Sequence, residues 1–137
     1  MVVNILGGYV TVPILSTALI IGFGLVTHAK AQEERPFLVD LNAKTVTLLA
    51  TLGGDDSRAT GINNAGQVVG YSDTVKGSYS RHAFITGPDG IGISDLGTLG
   101  GAWSEAFDVN DAAQVVGEAR TVNGSARAFI TVLVEWG

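Results

Sequence analysis

The chain carries the same block of sequence twice. Residues 51–77 (TLGGDDSRATGINNAGQVVGYSDTVKG) realign without a gap on residues 98–124 (TLGGAWSEAFDVNDAAQVVGEARTVNG) at an offset of 47, with fifteen of twenty-seven positions identical. A period in this range marks stacked supersecondary units, none of which can bury its apolar surface alone. The register extends further. Phe37 in PFLV corresponds to Phe84 in AFIT, and a step of 45 then reaches Phe129 in RAFI, because two residues are missing after Gly124. This predicts a β-repeat domain over residues 32–137, with units at about 36–82 and 83–127 and a partial third unit over 128–137.

The units read as strands. HAFIT, QVVGYS and QVVGEA are rich in β-branched and aromatic residues, and turn-forming clusters (LNAK, NNAG, GPDG, VNGS) separate them. Four strands per unit are expected: 37–41, 45–49, 58–62 and 67–73 in the first, and 83–86, 90–95, 105–110 and 114–120 in the second. A last strand is expected over 127–134. Short connections predict antiparallel neighbours in a meander. Val68-Val69, Val115-Val116, Phe84-Ile85 and Phe129-Ile130 are apolar at consecutive positions, so both faces of each sheet want cover. The fold class is therefore all-β, built of antiparallel four-stranded repeats like propeller blades, about two and a quarter units in all. Gly66 suits a left-handed turn residue. Ala113 stands at its equivalent and either keeps that conformation at a cost on the order of 1 kcal/mol or uses a different turn. Phe37, Phe84, Phe129, Gly53, Gly54, Gly100, Gly101, Asn63, Asn110, Gly70 and Gly117 are read as structural positions of the repeat.

Residues 2–29 carry no charged side chain, and residues 5–26 are mostly aliphatic. Ala29-Lys30-Ala31 then offers an A-x-A cleavage pattern before Gln32, Glu33 and Glu34. Residues 1–31 read as an export signal, an apolar helix either cleaved after Ala31 or retained as an anchor. The expected location is secreted, periplasmic or cell-surface, with membrane contact only if the segment is retained. From residue 32 onward there are seven basic and thirteen acidic side chains and no basic cluster, which argues against nucleic acid as a partner. Cysteine is absent, so neither a disulfide nor a thiol ligand is available.

DLGTLGG (95–101), GINNAGQVVGYS (61–72) and HAFI (82–85) resemble the bacterial HAF repeat, named for its His-Ala-Phe triplet, over about residues 51–130. The resemblance implies an exported repeat protein with propeller-like blades and no established catalytic activity. Two departures stand out: Arg127 replaces His82 in the next copy, and Ala113 replaces Gly66. Two and a fraction blades do not close a propeller. The expectations are a truncated or decayed family member, a homo-oligomer closing through open blade edges, or a small open meander.

Candidate chemistry is sparse. Asp55 and Asp56 form the only adjacent acidic pair in the repeats, but Ala102 and Trp103 take their place in the second copy. Catalysis on carbohydrate would need two carboxylates on opposite sides of one bond. Asp55, Asp56, Asn63, Asn64 and Asp73, with Asn110 and Asp111, are oxygen-rich enough to suggest calcium, yet no calcium-loop pattern is present. His82 has no second histidine or cysteine beside it once the signal leaves, so a packing or hydrogen-bonding role is expected. Ser57 and Ser104 recur and read as turn residues, as do the glycine pairs. Trp103, beside Gly100 and Gly101, either stacks on a sugar ring, anchors a protein partner, or fills the seam between blades. With no cofactor expected, the sequence points to a non-enzymatic exported scaffold or binding module for an unknown extracellular ligand or protein. The alternatives are an extracellular carbohydrate-active enzyme and a decayed fragment.

Overall fold

The structure, a computed structural model, describes Val3–Asn4 and residues 34–132. The rest of the expected export signal, with its expected helix, and residues 133–134 of the expected last strand lie outside the described residues. The protein is all-β. In chain order the strands are β1 (Val3–Asn4), β2 (Phe37–Asp40), β3 (Thr45–Leu48), β4 (Ser57–Ile62), β5 (Val68–Asp73), β6 (Arg81–Ile85), β7 (Ser94–Gly97), β8 (Gly100–Val109), β9 (Val115–Thr121) and β10 (Ala126–Ile130). Among the described residues no helix is long and apolar enough to cross a membrane.

Strand positions follow the alternation and turn signals, with three adjustments. β10 ends at Ile130, so residues 131–132 of the expected last strand are not strand. β7 begins at Ser94 rather than residue 90, because Gly90 and Gly92 both hold positive φ (72° and 76°) and extend the turn after Pro88. β8 begins at Gly100, five residues ahead of expectation. Gly100 and Gly101 therefore belong to a strand and not to a turn. They sit where the neighbouring strand comes too close for a side chain: a Cβ on Gly101 would lie 2.7 Å from the Arg120 carbonyl oxygen.

The pairing departs from a simple meander. β4, β5, β6 and β7 pair antiparallel in sequence order, as do β8, β9 and β10. β2 pairs with β3 and with β1 in a separate three-stranded sheet, and β3 does not pair with β4. Each TLGG element is thus a crossing between sheets, and the strands group with a phase different from that of the expected units. The two larger sheets touch through one parallel bridge, Arg81 to Trp103. The same bridge occurs one repeat earlier, between Glu34 and Asp56. The copies therefore follow one another by the same geometric step.

Both faces of the β4–β7 sheet are covered, as consecutive apolar residues require. Val68 and Phe84 face back onto Leu38 and Leu49 in one cluster. Val69 and Ile85 face forward onto Ala106, Val109 and Val115, with Phe129 packed alongside. Gly70 and Gly117 are glycines because the facing strands approach them: a Cβ would meet the Arg58 carbonyl oxygen at the first and the Glu105 carbonyl oxygen at the second. Strand register shifts near both places, between Ala59 and Gly61 and between Ala106 and Asp108.

The turns repeat atom for atom. The Asn63 side-chain oxygen accepts the N–H groups of Ala65 and Gln67, and Asn110 does the same for Ala112 and Gln114. Gly66 has φ 72° and Ala113 has φ 58°, so alanine keeps the left-handed conformation. The equivalent turns also touch one another. The Asn63 amide donates to the Asn110 carbonyl oxygen (3.1 Å), and Asn64 donates to Asp111 through both its backbone N–H (3.0 Å) and its side chain (2.7 Å).

Candidate functional site

An open cleft of about 730 Å³ lies where β6 meets β8, lined by Asp56, Asp73, Tyr79, Arg81, Trp103 and Arg120 together with small residues of the 77–78 turn. The repeat explains its composition. Trp103 stands at the equivalent of Asp56, Arg120 at that of Asp73, and Arg81 at that of Glu34. The cleft thus gathers positions where otherwise matching copies differ in charge or aromaticity. Gly77 holds positive φ (70°), turning the β5–β6 connection so that Tyr79 stands out, 99% exposed.

Arg81 organises one wall. Its guanidinium lies 3.4 Å from Glu105 Oε1, 3.6 Å from Asp73 Oδ1 and 3.8 Å from Asp56 Oδ2, and it stacks 4.4 Å from the centroid of the Tyr71 ring. Four strand or loop segments are drawn together by this one side chain. The planar fork suits that task, because it meets carboxylates at its edge and an aromatic ring at its face. Burial pushes the Tyr71 hydroxyl pKa up from 10.0, against the opposing pull of Arg58 and Arg81. On the other wall the Arg120 guanidinium lies 5.5 Å from the Trp103 ring centroid. Trp103 is half-buried and remains on the cleft surface.

The expected site residues separate. Asp56 and Trp103 share the cleft, whereas Asp55 does not line it and pairs with Lys76 (3.1 Å). Asp55 and Asp56 thus engage different cations. Asn63, Asn64, Asn110 and Asp111 are occupied in the paired turns, away from Asp56 and Asp73. Among the described residues no group of three or more His, Cys, Asp or Glu side chains is placed to hold a metal ion. His82 Nδ1 lies 2.8 Å from Asp95 Oδ2, tying β6 to β7 outside the cleft.

Ser57 and Ser104 are strand residues and not the turn residues expected. Ser104 Oγ accepts the Ala83 N–H (2.8 Å) and donates to the Gly97 carbonyl oxygen (2.6 Å), joining β6, β7 and β8. Sequence reasoning also missed Arg81, Arg120 and Tyr79. The signal that finds the two arginines is divergence between copies at equivalent positions. Tyr79 lies in the stretch where the copies differ in length.

No family model matches the chain, and no curated protein or solved structure matches it.

Proposed function

We propose that the chain is an exported, non-enzymatic repeat protein of the HAF kind, with propeller-like units, that binds a saccharide-bearing extracellular ligand in the cleft at Trp103. One observation carries this reading: the cleft presents two aromatic side chains, Trp103 and Tyr79, beside carboxylates and guanidinium groups of both signs. A pyranose has an apolar C–H face that stacks on an indole or phenol and an edge of hydroxyls that both donate and accept. Asp56 and Asp73 accept from such hydroxyls, and Arg81 and Arg120 donate to them. The volume falls within the range of ordinary small-ligand clefts. The DLGTLGG, GINNAGQVVGYS and HAFI elements support the family reading, and the apolar run ahead of Ala29-Lys30-Ala31 supports export. The propeller-like reading draws support from the four-stranded antiparallel unit covered on both faces. Separate engagement of Asp55 by Lys76 and of Asp56 by Arg81 supports binding over hydrolysis, because an acid–base pair must face one bond.

The test is an array of neutral oligosaccharides followed by calorimetry on the best-bound one. Trp103→Ala should weaken that binding at least ~10-fold, roughly 1.4 kcal/mol, with an unchanged circular dichroism spectrum. Wild-type protein that binds no oligosaccharide, or a variant that binds as tightly, would refute the site. Release of shortened sugars from the bound oligosaccharide would refute the non-enzymatic reading.

A further inference from the structure

The two internal interfaces follow one rule, and the chain presents both halves of a third. Leu38 of one sheet shares a cluster with Phe84 of the next, and Ile85, the equivalent of Leu38, shares a cluster with Phe129. In each case an aliphatic residue facing forward meets a phenylalanine facing back. Val69 likewise faces forward into the cluster that holds Val115.

The forward face of β8–β10 repeats those positions without cover among the described residues. Ile130 stands at the equivalent of Ile85 and is 62% exposed. Val116 stands at the equivalent of Val69 and is 42% exposed, and Ile130 is its cross-strand partner. Phe107, beside them on β8, is 49% exposed. At the other end, Phe37 stands at the equivalent of Phe84 and Phe129, on the backward face of the β2–β3 hairpin. The hairpin register puts Leu48 opposite Phe37 and Val46 opposite Val39, so these four share that face. Leu48 is 48% and Val46 66% exposed. Leu38, one position along β2, faces the opposite way, into the core.

We propose that the forward face at Phe107, Val116 and Ile130 docks the backward face at Phe37, Val46 and Leu48 of a second copy of this chain. The partner is argued from continuity: the contact extends an interface the chain already makes twice, with the same residue types at equivalent positions. Such an arrangement is heterologous, front to back, and generates a ring or an open stack according to whether the rotation closes. It does not depend on the cleft or its ligand.

Light scattering on the full chain tests it. Wild type should assemble with rising concentration into multiples of its 14.1 kDa. Ile130→Asp and Val46→Asp should each stay at the mass of one chain, since each blocks one half of the contact. Mixed in equal amounts, they should form a heterodimer of twice that mass, one supplying its intact hairpin and the other its intact β8–β10 face. Val116→Asp serves on the same face where Ile130→Asp loses the wild-type β spectrum. Wild type that stays at the mass of one chain throughout would overturn the proposal. So would a Val46→Asp variant that still assembles, which would place the contact between two forward faces, or a mixture that does not pair.

Discussion

Ser57 and Ser104 occupy equivalent positions in a repeated architecture, yet their hydroxyls have opposite circumstances. Ser104 is fully buried, accepts the Ala83 N–H at 2.8 Å and donates to the Gly97 carbonyl oxygen at 2.6 Å. Ser57 is 5% exposed, and its hydroxyl has no hydrogen-bond partner among the described residues. The missing donor has its cause one repeat back: the position equivalent to Ala83 is Pro36, which has no N–H to give. Ser104→Ala removes two hydrogen bonds, each a net ~1 kcal/mol, and leaves a buried N–H and a part-buried carbonyl unsatisfied; a loss of about 2–3 kcal/mol is expected. Ser57→Ala removes a desolvated hydroxyl that gains nothing from being there, so its effect should lie between zero and about 1 kcal/mol of stabilisation. Urea unfolding followed by circular dichroism measures both. In thermal melts the two variants should differ by roughly 10 °C or more, given ~4–8 °C per kcal/mol for a domain of this size. A third variant closes the argument: Pro36→Ala supplies the missing donor, and in that background Ser57→Ala should become destabilising by about 1 kcal/mol. Equal losses from Ser57→Ala and Ser104→Ala in the wild-type background would refute the reasoning, because burial alone would then decide the outcome.

The paired turns give two more tests. Ala113→Gly relieves a left-handed alanine and should stabilise by about 1 kcal/mol in urea unfolding. Gly66→Ala should cost more than that, about 2 kcal/mol, since its Cβ would also lie 2.9 Å from the Asp89 backbone nitrogen. The Asn64 backbone N–H, and next its side chain, hold the Asp111 carboxyl pKa below the ordinary 3.8. With a depressed folded-state pKa, the contact contributes fully above the unfolded value and is lost as pH falls through the folded one. Asn64→Ala removes only the side-chain donor. The Asp111 carboxyl should therefore move part of the way back up in an NMR titration, and no movement would refute the assignment.

What the sequence discloses depends on whether the determining physics is local. Turns such as NNAG and VNGS and strands such as QVVGYS declare themselves through glycine, asparagine and β-branched residues, and they stand where expected. Cover on both faces was readable from Val68-Val69 and Phe84-Ile85, because neighbours on a strand point opposite ways. Pairing phase was not readable. TLGG has the composition of a hairpin turn, and only the placement of whole sheets shows that it carries the chain from one to the next. Ser57 and Ser104 were misread for the same reason, since their surroundings come from strands far along the chain. Trp103 and Asp56 could be named as candidates one at a time, but nothing in their local sequence brings them together.

The repeat itself supplies the missing link. Two copies related by a constant step place equivalent residues next to one another, as Asn63 with Asn110 and Asn64 with Asp111 show. Identical residues at such contacts serve the stack, because the same interaction must work at each step. Where the copies differ by more than a near-isosteric exchange such as Asn64 for Asp111, the contact is released from that requirement. Asp56 and Trp103, Asp73 and Arg120, and Arg81 against Glu34 are such differences, and their cleft members converge on one surface. The apolar clusters obey the opposite logic: Leu38, Ile85 and Ile130 keep their character through three successive positions although the last is exposed. Retained apolar character at an uncovered repeat position implies a contact of the kind its buried equivalents make, and divergence beyond a near-isosteric exchange at a contacted position implies a role other than stacking. The forward face and the cleft are therefore separable: Ile130→Asp should abolish assembly and Trp103→Ala should weaken sugar binding, each without altering the other behaviour.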